Sequence, residues 1–122
     1  MSAKRYAVNS GSREAINNTR RAIRNREEFE TSGALRGTTR PTVHCGVLGG
    51  KAEDAYIDEL STIDYAVFSY RTPIAWHTPD GWTVVTDKFS PTTTSHQSAV
   101  TAALHGYFEP GNEPIEYRKV GF

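Results

Sequence analysis

Residues 65–77 carry the longest apolar patterning in the chain, which predicts one long β-strand. Phe68 and Trp76 fall on one face of this strand, because successive side chains of a strand point to opposite sides of the sheet. Pro73 interrupts the pattern and has no N–H to donate, so it marks a bulge, a bend or an edge-facing position.

A Thr-Pro-Asp-Gly turn at residues 78–81 follows this strand and predicts a β-hairpin. Gly81 is free to adopt a positive φ, and a type I turn with a bulge at Gly81 would place Trp76 opposite Val84. In that register Trp76 and Trp82 lie on the same side of the hairpin. A slip of one residue would send the two indoles to opposite faces.

Residues 13–29 predict an amphipathic, arginine-rich helix that Ser12 caps. Ile16, Ile23 and Phe29 share its apolar face, through which we expect the helix to dock on the sheet. The opposite face and its edge, which we expect to stay in water, carry four arginines: Arg13, Arg20, Arg21 and Arg24.

Shorter patterns supply the remaining elements. Residues 51–60 fit a short helix, whereas residues 42–47 and 115–120 fit short strands, the second of them at the edge of the sheet. Thr94 fits the cap of a further helix, and Gly106 would end that helix.

Together these elements predict an α+β fold. We expect a small antiparallel sheet of three to five strands, built on the central hairpin and covered by helices on one face. A chain of 122 residues is long enough for one domain with its own core. Within that domain, residues 1–12 are expected to form a flexible tail, and residues 63–105 to form the core of hairpin and helix.

Composition narrows the classes of protein and partner. No apolar run approaches the about 20 residues of a membrane span, so no membrane partner is expected. The single cysteine, Cys45, excludes an internal disulfide and cysteine-rich zinc sites and favours a cytoplasmic setting. Residues 1–40 carry nine Lys/Arg and four Asp/Glu, a net of +5, whereas residues 41–122 carry five and ten, a net of −5. Either the two halves attract each other, or the basic part meets an acidic partner.

No catalytic motif emerges from the sequence. The GVLGGKA string before Ala52 is one residue short of the glycine spacing of a phosphate-binding loop, and Ala52 stands where that loop needs a hydroxyl. His44 and Cys45 are neighbours on a predicted strand and would point to opposite faces, which argues against a nucleophile and its base. The four histidines lack the paired spacing of metal ligands, so we expect neither a metal nor a cofactor.

The start of the helix capped by Thr94 is a candidate anion-binding site. Unpaired backbone amides there would face out of the positive end of the helix, with hydroxyl groups around them. The candidate residues are Arg71, Thr93, Thr94, Ser95 and His96. Alternatively, the hydroxyls are ordinary helix caps, and His96 is a structural histidine, since it lies on the apolar stripe of this helix.

The arginines of the first helix are a candidate nucleic-acid or partner-binding surface. Arg13, Arg20 and Arg24 are spaced so that they could follow a phosphate backbone through nonspecific, salt-sensitive contacts. Nearby glutamates weaken the positive field, however. A solvated helix face, or a docking face for an acidic protein, is therefore equally compatible with the pattern.

The strings FSYRTPIAWH and KFSPTTTSHQ, separated by a TPDGW turn, resemble a pattern in small proteins of actinobacterial bacteriophages. The first string matches at Phe68, Ser69, Tyr70, Thr72, Pro73, Ile74, Ala75 and Trp76. The second matches at Phe89, Ser90, Thr92, Thr93, Ser95, His96 and Gln97, with one extra threonine. An upstream FETSGALRGT element, residues 29–38, is also similar. The resemblance implies a phage origin and expression inside a host cell, but no activity is assigned to these proteins.

These observations predict a non-enzymatic phage accessory protein that acts by binding in the cytoplasm of the infected cell. Nucleic acid is the first partner to test, and the first alternative is a host protein whose activity is modulated. A second alternative is a small enzyme acting on a phosphorylated substrate, with His96 as acid or base at the helix end near Thr94. The sequence leaves the oligomeric state open and is compatible with a homodimer.

Overall fold

The computed structural model describes residues 4–6, 13–31 and 34–121. In chain order its elements are β1 (Lys4–Tyr6), α1 (Arg13–Arg24), β2 (Phe29–Thr31), β3 (Leu35–Thr38), α2 (Gly50–Glu59), β4 (Tyr65–Ser69), β5 (Thr72–Thr78), β6 (Gly81–Val85), α3 (Pro91–His105) and β7 (Tyr117–Val120). A single turn of 3-10 helix (Leu60–Thr62) follows α2.

All described strands belong to one sheet, in which the seven strands lie side by side in chain order. The five strands from β2 to β6 are antiparallel to one another in turn. The outermost strands differ, because β1 runs parallel to β2 and β7 runs parallel to β6. Parallel neighbours need a crossover connection, which α1 and α3 provide. The α+β prediction is confirmed, but the sheet is larger than three to five strands and has parallel edges.

Residues 65–77, predicted as one strand, form two antiparallel strands, β4 and most of β5. Ser69 pairs with Thr72, so Tyr70 and Arg71 form a two-residue turn between β4 and β5. Tyr70 has φ of 58°, a value that tight turns of this kind use but that bulky side chains adopt rarely. The sequence prediction was wrong here because the turn contains no glycine, asparagine or aspartate to mark it.

The predicted register of the second hairpin is also wrong. Thr78 pairs with Gly81 and Trp76 pairs with Thr83, so Trp76 and Trp82 lie on opposite faces of the sheet. Gly81 has the expected positive φ of 116°, but the turn itself contains only two residues. The Thr78 hydroxyl accepts a hydrogen bond of 3.1 Å from the Asp80 amide and stabilises this tight turn.

The irregularity expected at Pro73 does occur, as a bulge of β5 in its pairing with β4. Phe68 pairs with Pro73 while Val67 pairs with Ala75, which leaves Ile74 as the extra residue of a bulge. The bulge changes the alternation, so Ile74 and Ala75 both pack on the same face. Pro73 thus sits beside a bulge, one of the positions that the missing N–H allows.

Helices cover both faces of the sheet, not one. The first core cluster joins α1 and α3 to one face and includes Ile23, Trp82, Val100 and Leu104. The second joins α2 to the other face, where the Tyr56 and Trp76 rings meet edge-on with centroids 5.1 Å apart. The sheet is therefore the middle of three layers.

Several predicted boundaries shift. The first helix ends at Arg24 rather than near residue 29, because Arg26 turns the chain with φ of 55° and β2 begins soon afterwards. Lys4–Tyr6 form a strand that pairs with β2, so the predicted flexible tail is wrong for these three residues. The rest of residues 1–12, including the predicted Ser12 cap, lies outside the described ranges. Residues 42–47 form a loop instead of a strand. The short helix over residues 51–60 and the edge strand within 115–120 are confirmed as α2 and β7.

Candidate anion-binding pocket

An open pocket of about 630 Å³ lies where the loop after β3 meets the β4–β5 turn. We call it the arginine pocket and define it by the residues that line it: Arg36, Thr42, His44, Cys45, Gly46 and Arg71. These residues come from one strand, one loop and one turn.

Arg36 is held in place by an aromatic ring of the neighbouring strand. It pairs with Phe68 across β3 and β4, and its guanidinium carbon lies 4.5 Å from the centroid of the Phe68 ring. Phe68 is completely buried, so the ring is a fixed support. Stacking of this kind orients a guanidinium group while leaving its N–H donors free to bind.

Two hydrogen bonds fix the loop between β3 and α2 to the rest of the molecule, and a third closes a turn within the loop. The Tyr56 hydroxyl donates to the Thr42 carbonyl at 2.5 Å, the Val47 amide donates to the Thr72 hydroxyl at 3.1 Å, and the Leu48 amide donates to the Cys45 carbonyl at 2.9 Å. The pocket wall formed by this loop is therefore ordered by contacts with α2 and β5.

Gly46 lets the loop approach the β4–β5 turn closely. Its φ is 56°, and a Cβ atom at this position would lie 2.3 Å from the Thr72 hydroxyl and 2.8 Å from the Arg71 carbonyl. Any larger residue would push the loop away from Arg71. The loop and the turn thus share one compact wall.

The pocket is positively charged. Within the described ranges, neither Arg36 nor Arg71 forms an ion pair or a hydrogen bond with a carboxylate. No carboxylate lines the pocket among the described residues. Two guanidinium groups without a carboxylate partner in the described part of the chain make this concave surface suited to an anion, above all one that accepts bidentate hydrogen bonds.

The surroundings of Cys45 disfavour its thiolate form. Burial, and secondarily the negative charge of Glu53, raise the pKa of the Cys45 thiol above its usual value. A thiol reacts as the thiolate, so a raised pKa keeps it unreactive at neutral pH. The inert Cys45 that the sequence favoured is consistent with this environment.

Exposed apolar side chains neighbour the pocket residues in sequence. Val43 and Val47, on the loop, are 63% and 72% exposed, and Tyr70, next to Arg71, is 56% exposed. The Tyr70 amide donates to the Ala34 carbonyl at 2.9 Å, which ties the turn to the chain before β3. The loop and the β4–β5 turn thus carry exposed apolar groups in addition to the polar residues of the pocket.

The predicted site at Thr93, Thr94, Ser95 and His96 has a different structure from the one expected. Helix α3 begins at Pro91 with Ser90 as its cap, and the Ser90 hydroxyl accepts from the Thr93 amide. The Thr94 amide donates within the helix to the Ser90 carbonyl at 2.9 Å, so it is not free to bind an anion. The predicted Thr94 cap is wrong, because proline without an N–H fits the first helical position and places the cap before it.

His96 belongs to a buried hydroxyl cluster. The Ser69 hydroxyl lies 2.7 Å from His96 Nδ1 and 3.0 Å from the Thr93 hydroxyl, which the Ser90 hydroxyl contacts in turn. His96 is 5% exposed and Ser69 is 1% exposed. Burial lowers the pKa of the His96 imidazole. The cluster joins the end of β4 to the start of α3, and its members do not line the arginine pocket among the described residues.

Two of the four arginines of the predicted surface, Arg21 and Arg24, are engaged within the protein. Arg24 donates to the carbonyls of Ala103 and Leu104 at 3.2 and 3.1 Å, and also to the Glu113 carbonyl. Arg21 pairs with Glu109 at 3.3 Å.

Of the other two arginines, the structure describes only the side chain of Arg20. Arg20 is half-buried, and its Nε atom has no hydrogen-bond partner among the described atoms. Arg13 is the first residue of α1, but its side chain lies outside the described part. The contacts of α1 with the end of α3 and with the segment after it therefore engage Arg24 and Arg21, respectively.

Of the predicted site residues, only Arg71 lies in the arginine pocket. Arg36, Thr42 and His44 were missed because they are separated in sequence from Arg71, and only the pairing of β3 with β4 brings them near it. A weak signal was present, since residues 36–46 combine two arginines, a histidine and several threonines in a glycine-containing loop.

No group of three or more His, Cys, Asp or Glu side chains is placed to hold a metal ion in the described ranges. None of the helices within those ranges is long and apolar enough to cross a bilayer.

One family model, described as a family of unknown function (DUF8033), matches residues 12–109. The chain belongs to DUF8033. The part that matches the DUF8033 model contains every residue of the arginine pocket as well as Tyr70 and the hydroxyl cluster. No curated protein and no solved structure matches the chain.

Proposed function

We propose that this DUF8033 protein is a bacteriophage accessory protein that acts by binding nucleic acid inside the infected host cell. The observation that supports the proposal is the arginine pocket, in which Arg36 and Arg71 face solvent-accessible space without an internal anionic partner. Phosphate groups are the anions that arginine binds best, because their oxygens accept parallel N–H donors.

Local charge favours this partner although the chain as a whole is neutral. Binding to a phosphate backbone depends on the charges that contact it and on the counterions they release, not on the net charge of the protein. A pocket with two free arginines and an exposed histidine, His44, supplies such contacts on one side of the molecule. We expect contacts with phosphate to provide most of the affinity.

An enzymatic role for His96 has less support. A general base must reach the proton it removes, yet His96 and its partner Ser69 are both buried. Their hydrogen bond fastens β4 to α3, and a substrate would have to displace this packing. We therefore assign His96 to the fold and keep the binding role for the pocket.

Fluorescence anisotropy with a labelled oligonucleotide of about 16 nucleotides tests the proposal. The protein should bind at low salt, and affinity should fall steeply as salt rises. The double variant Arg36→Ala/Arg71→Ala should weaken binding about tenfold or more and reduce the salt slope by about 2, since two phosphate contacts are lost.

A charge-matched control uses two lysines outside the pocket. Lys88 and Lys119 are exposed and do not line the pocket, so Lys88→Ala/Lys119→Ala removes the same charge but should leave affinity nearly unchanged. Equal losses in the two double variants would point to a diffuse charge effect and contradict the proposal. Absence of binding at low salt would reject it and would direct attention to a host protein.

A further inference from the structure

The arginine pocket carries more positive charge than one phosphate within a nucleic-acid backbone can balance. Arg36 and Arg71 both line the pocket, and no carboxylate lines it among the described residues. A phosphate within the backbone is a diester and carries one negative charge. A phosphate at the end of a strand is a monoester, which carries a charge of about −1.5 to −2 at pH 7. Two guanidinium groups in one pocket therefore match a terminal phosphate more closely.

The hydrogen-bond donors of the pocket favour the same ligand. A guanidinium group presents its N–H groups as a rigid fork that matches a pair of phosphate oxygens. A diester has one pair of free oxygens and can fill one fork, whereas the three free oxygens of a monoester give each fork a pair of its own. Arg36 is already oriented by the buried Phe68 ring, so its fork is in place before the ligand arrives.

The dimensions of the pocket suit one nucleotide at the end of a strand. Its volume of about 630 Å³ lies within the range of sites that hold a single small molecule, about 300 to 1,000 Å³. Proteins that follow a nucleic-acid backbone instead spread their positive groups along a groove, over about 4 to 16 nucleotides. Here Arg36, Arg71 and the exposed His44 share one pocket, which favours recognition of a single phosphate.

We propose that the arginine pocket binds the terminal phosphate of a nucleic-acid strand, with Arg36 and Arg71 on the same phosphomonoester group. This inference rests on the proposed function and adds the part of the nucleic acid that is recognised. A strand can carry this group at its 5′ end or at its 3′ end. Phosphates within the strand add weaker, nonspecific contacts, so a strand with hydroxyl ends still binds, but less tightly.

Fluorescence anisotropy compares three strands of one sequence, each about 16 nucleotides long and labelled on an internal base. One strand carries a 5′ phosphate, one carries a 3′ phosphate, and one has hydroxyl groups at both ends. We expect one phosphate-ended strand to bind about tenfold more tightly than the hydroxyl-ended strand, the factor that corresponds to one further hydrogen bond between charged groups. The strand that binds more tightly identifies the end that is recognised.

Variants of the two arginines show whether both act on the same phosphate. Arg36→Ala and Arg71→Ala should each lower the preference for the phosphate-ended strand, and the double variant should bind all three strands alike. Lys88→Ala/Lys119→Ala is the charge-matched control and should keep the full preference, because both lysines are exposed and neither lines the pocket. Urea unfolding checks that each variant is folded, and the comparison of strands on the parent chain depends on no variant.

The outcomes separate this inference from the proposal it rests on. Equal affinity of the parent chain for the three strands would overturn recognition of the strand end but leave nucleic-acid binding intact. A preference that survives in the double arginine variant, or that the lysine control loses to the same extent, would also overturn it. Absence of binding to every strand would overturn both proposals. So would a nucleoside monophosphate that displaces the labelled strand as readily as the unlabelled strand does, since the ligand would then be a free nucleotide.

Discussion

A buried histidine within hydroxyl groups can be catalytic or structural, and the surroundings of His96 decide between the two. Its Nδ1 faces the Ser69 hydroxyl, with Thr93 beside it, and no carboxylate hydrogen-bonds to it among the described residues. The sequence showed that His96 lies on the apolar stripe of α3. It could not show that Ser69 would be its partner, because that contact depends on the unpredicted turn after β4.

Protonation of His96 should make stability depend on pH. The folded pKa of His96 is lowered by burial, so between the folded value and the ordinary value of about 6.5 the unfolded chain binds a proton that the folded chain does not. Above about pH 6.5 His96 does not lower the free energy of unfolding. Below that value the free energy of unfolding decreases as the pH falls, because the unfolded chain takes up the proton first. Urea unfolding between about pH 7.5 and pH 5 should therefore show a falling free energy of unfolding.

The variant His96→Asn removes this titrating group and can still hydrogen-bond to Ser69, so the same experiment should give a flatter profile. His44→Asn is the control, since His44 is exposed, and should keep the slope of the parent chain. An unchanged slope in His96→Asn would assign the effect to other groups.

Among the elements, α1 shows how a pattern can be read correctly for secondary structure and incorrectly for its surface. Periodicity placed the helix and its basic face. That face packs against the end of α3, where carbonyl groups left without helical partners accept hydrogen bonds from Arg24. Only the βαβ crossovers at both ends of the sheet bring α1 and α3 together, and sequence periodicity carries no information about such contacts.

Arg24→Met should therefore destabilise the protein without impairing nucleic-acid binding. The variant leaves the end carbonyls of α3 without their charged donor, at a cost of about 2 kcal/mol. Arg21→Met removes an ion pair whose side chains are 40% and 44% exposed and should cost less than about 1 kcal/mol. Urea unfolding and anisotropy on both variants provide the test, and a loss of binding with unchanged stability would restore α1 as the binding surface.

Strand β3 has a similarly strict requirement at Gly37. A Cβ atom there would lie 2.1 Å from the Tyr65 hydroxyl and 2.5 Å from the Phe29 ring. Both side chains are fully buried, and the Tyr65 hydroxyl donates to the Glu27 carbonyl at 2.7 Å. The space that glycine leaves is occupied by these two rings.

Gly37→Ala should consequently lower the free energy of unfolding by about 3 kcal/mol, as overpacking of a core does. Gly49→Ala is the matched control, because a Cβ atom at Gly49 would meet no other atom within 4 Å and its φ is −147°. Denaturant unfolding should show that this control keeps nearly all of its stability. Similar values for the two variants would contradict the packing at Gly37.

For the whole molecule, the main consequence of the hairpin register is a sheet covered on both sides. The sequence predicted most helices and the last strand, because their periods and caps are local. It predicted the wrong number of layers, since the shift of one residue at Gly81 moved Trp82 away from Trp76. The register depends on whether the turn has two residues or a bulge, and the Thr-Pro-Asp-Gly sequence is compatible with both.

Two independent cores should give additive effects of mutation. Trp76 packs against Tyr56 below α2, and Trp82 packs against Tyr65 below α1 and α3. Trp76→Phe and Trp82→Phe should each destabilise the protein, and the double variant should equal their sum within about 0.5 kcal/mol. A double-mutant cycle from urea unfolding measures this coupling, and a coupling energy well above that value would indicate that the two indoles share one core.

The outermost strands of the sheet affect how copies of the protein meet. Both margins are brief and basic: β1 has three residues and includes Lys4 and Arg5, whereas β7 has four and includes Arg118 and Lys119. An open margin exposes amide and carbonyl groups to which a neighbouring chain could add, and short, charged margins discourage such addition. The sheet should therefore resist growth into fibres by edge-to-edge addition, even at high concentration.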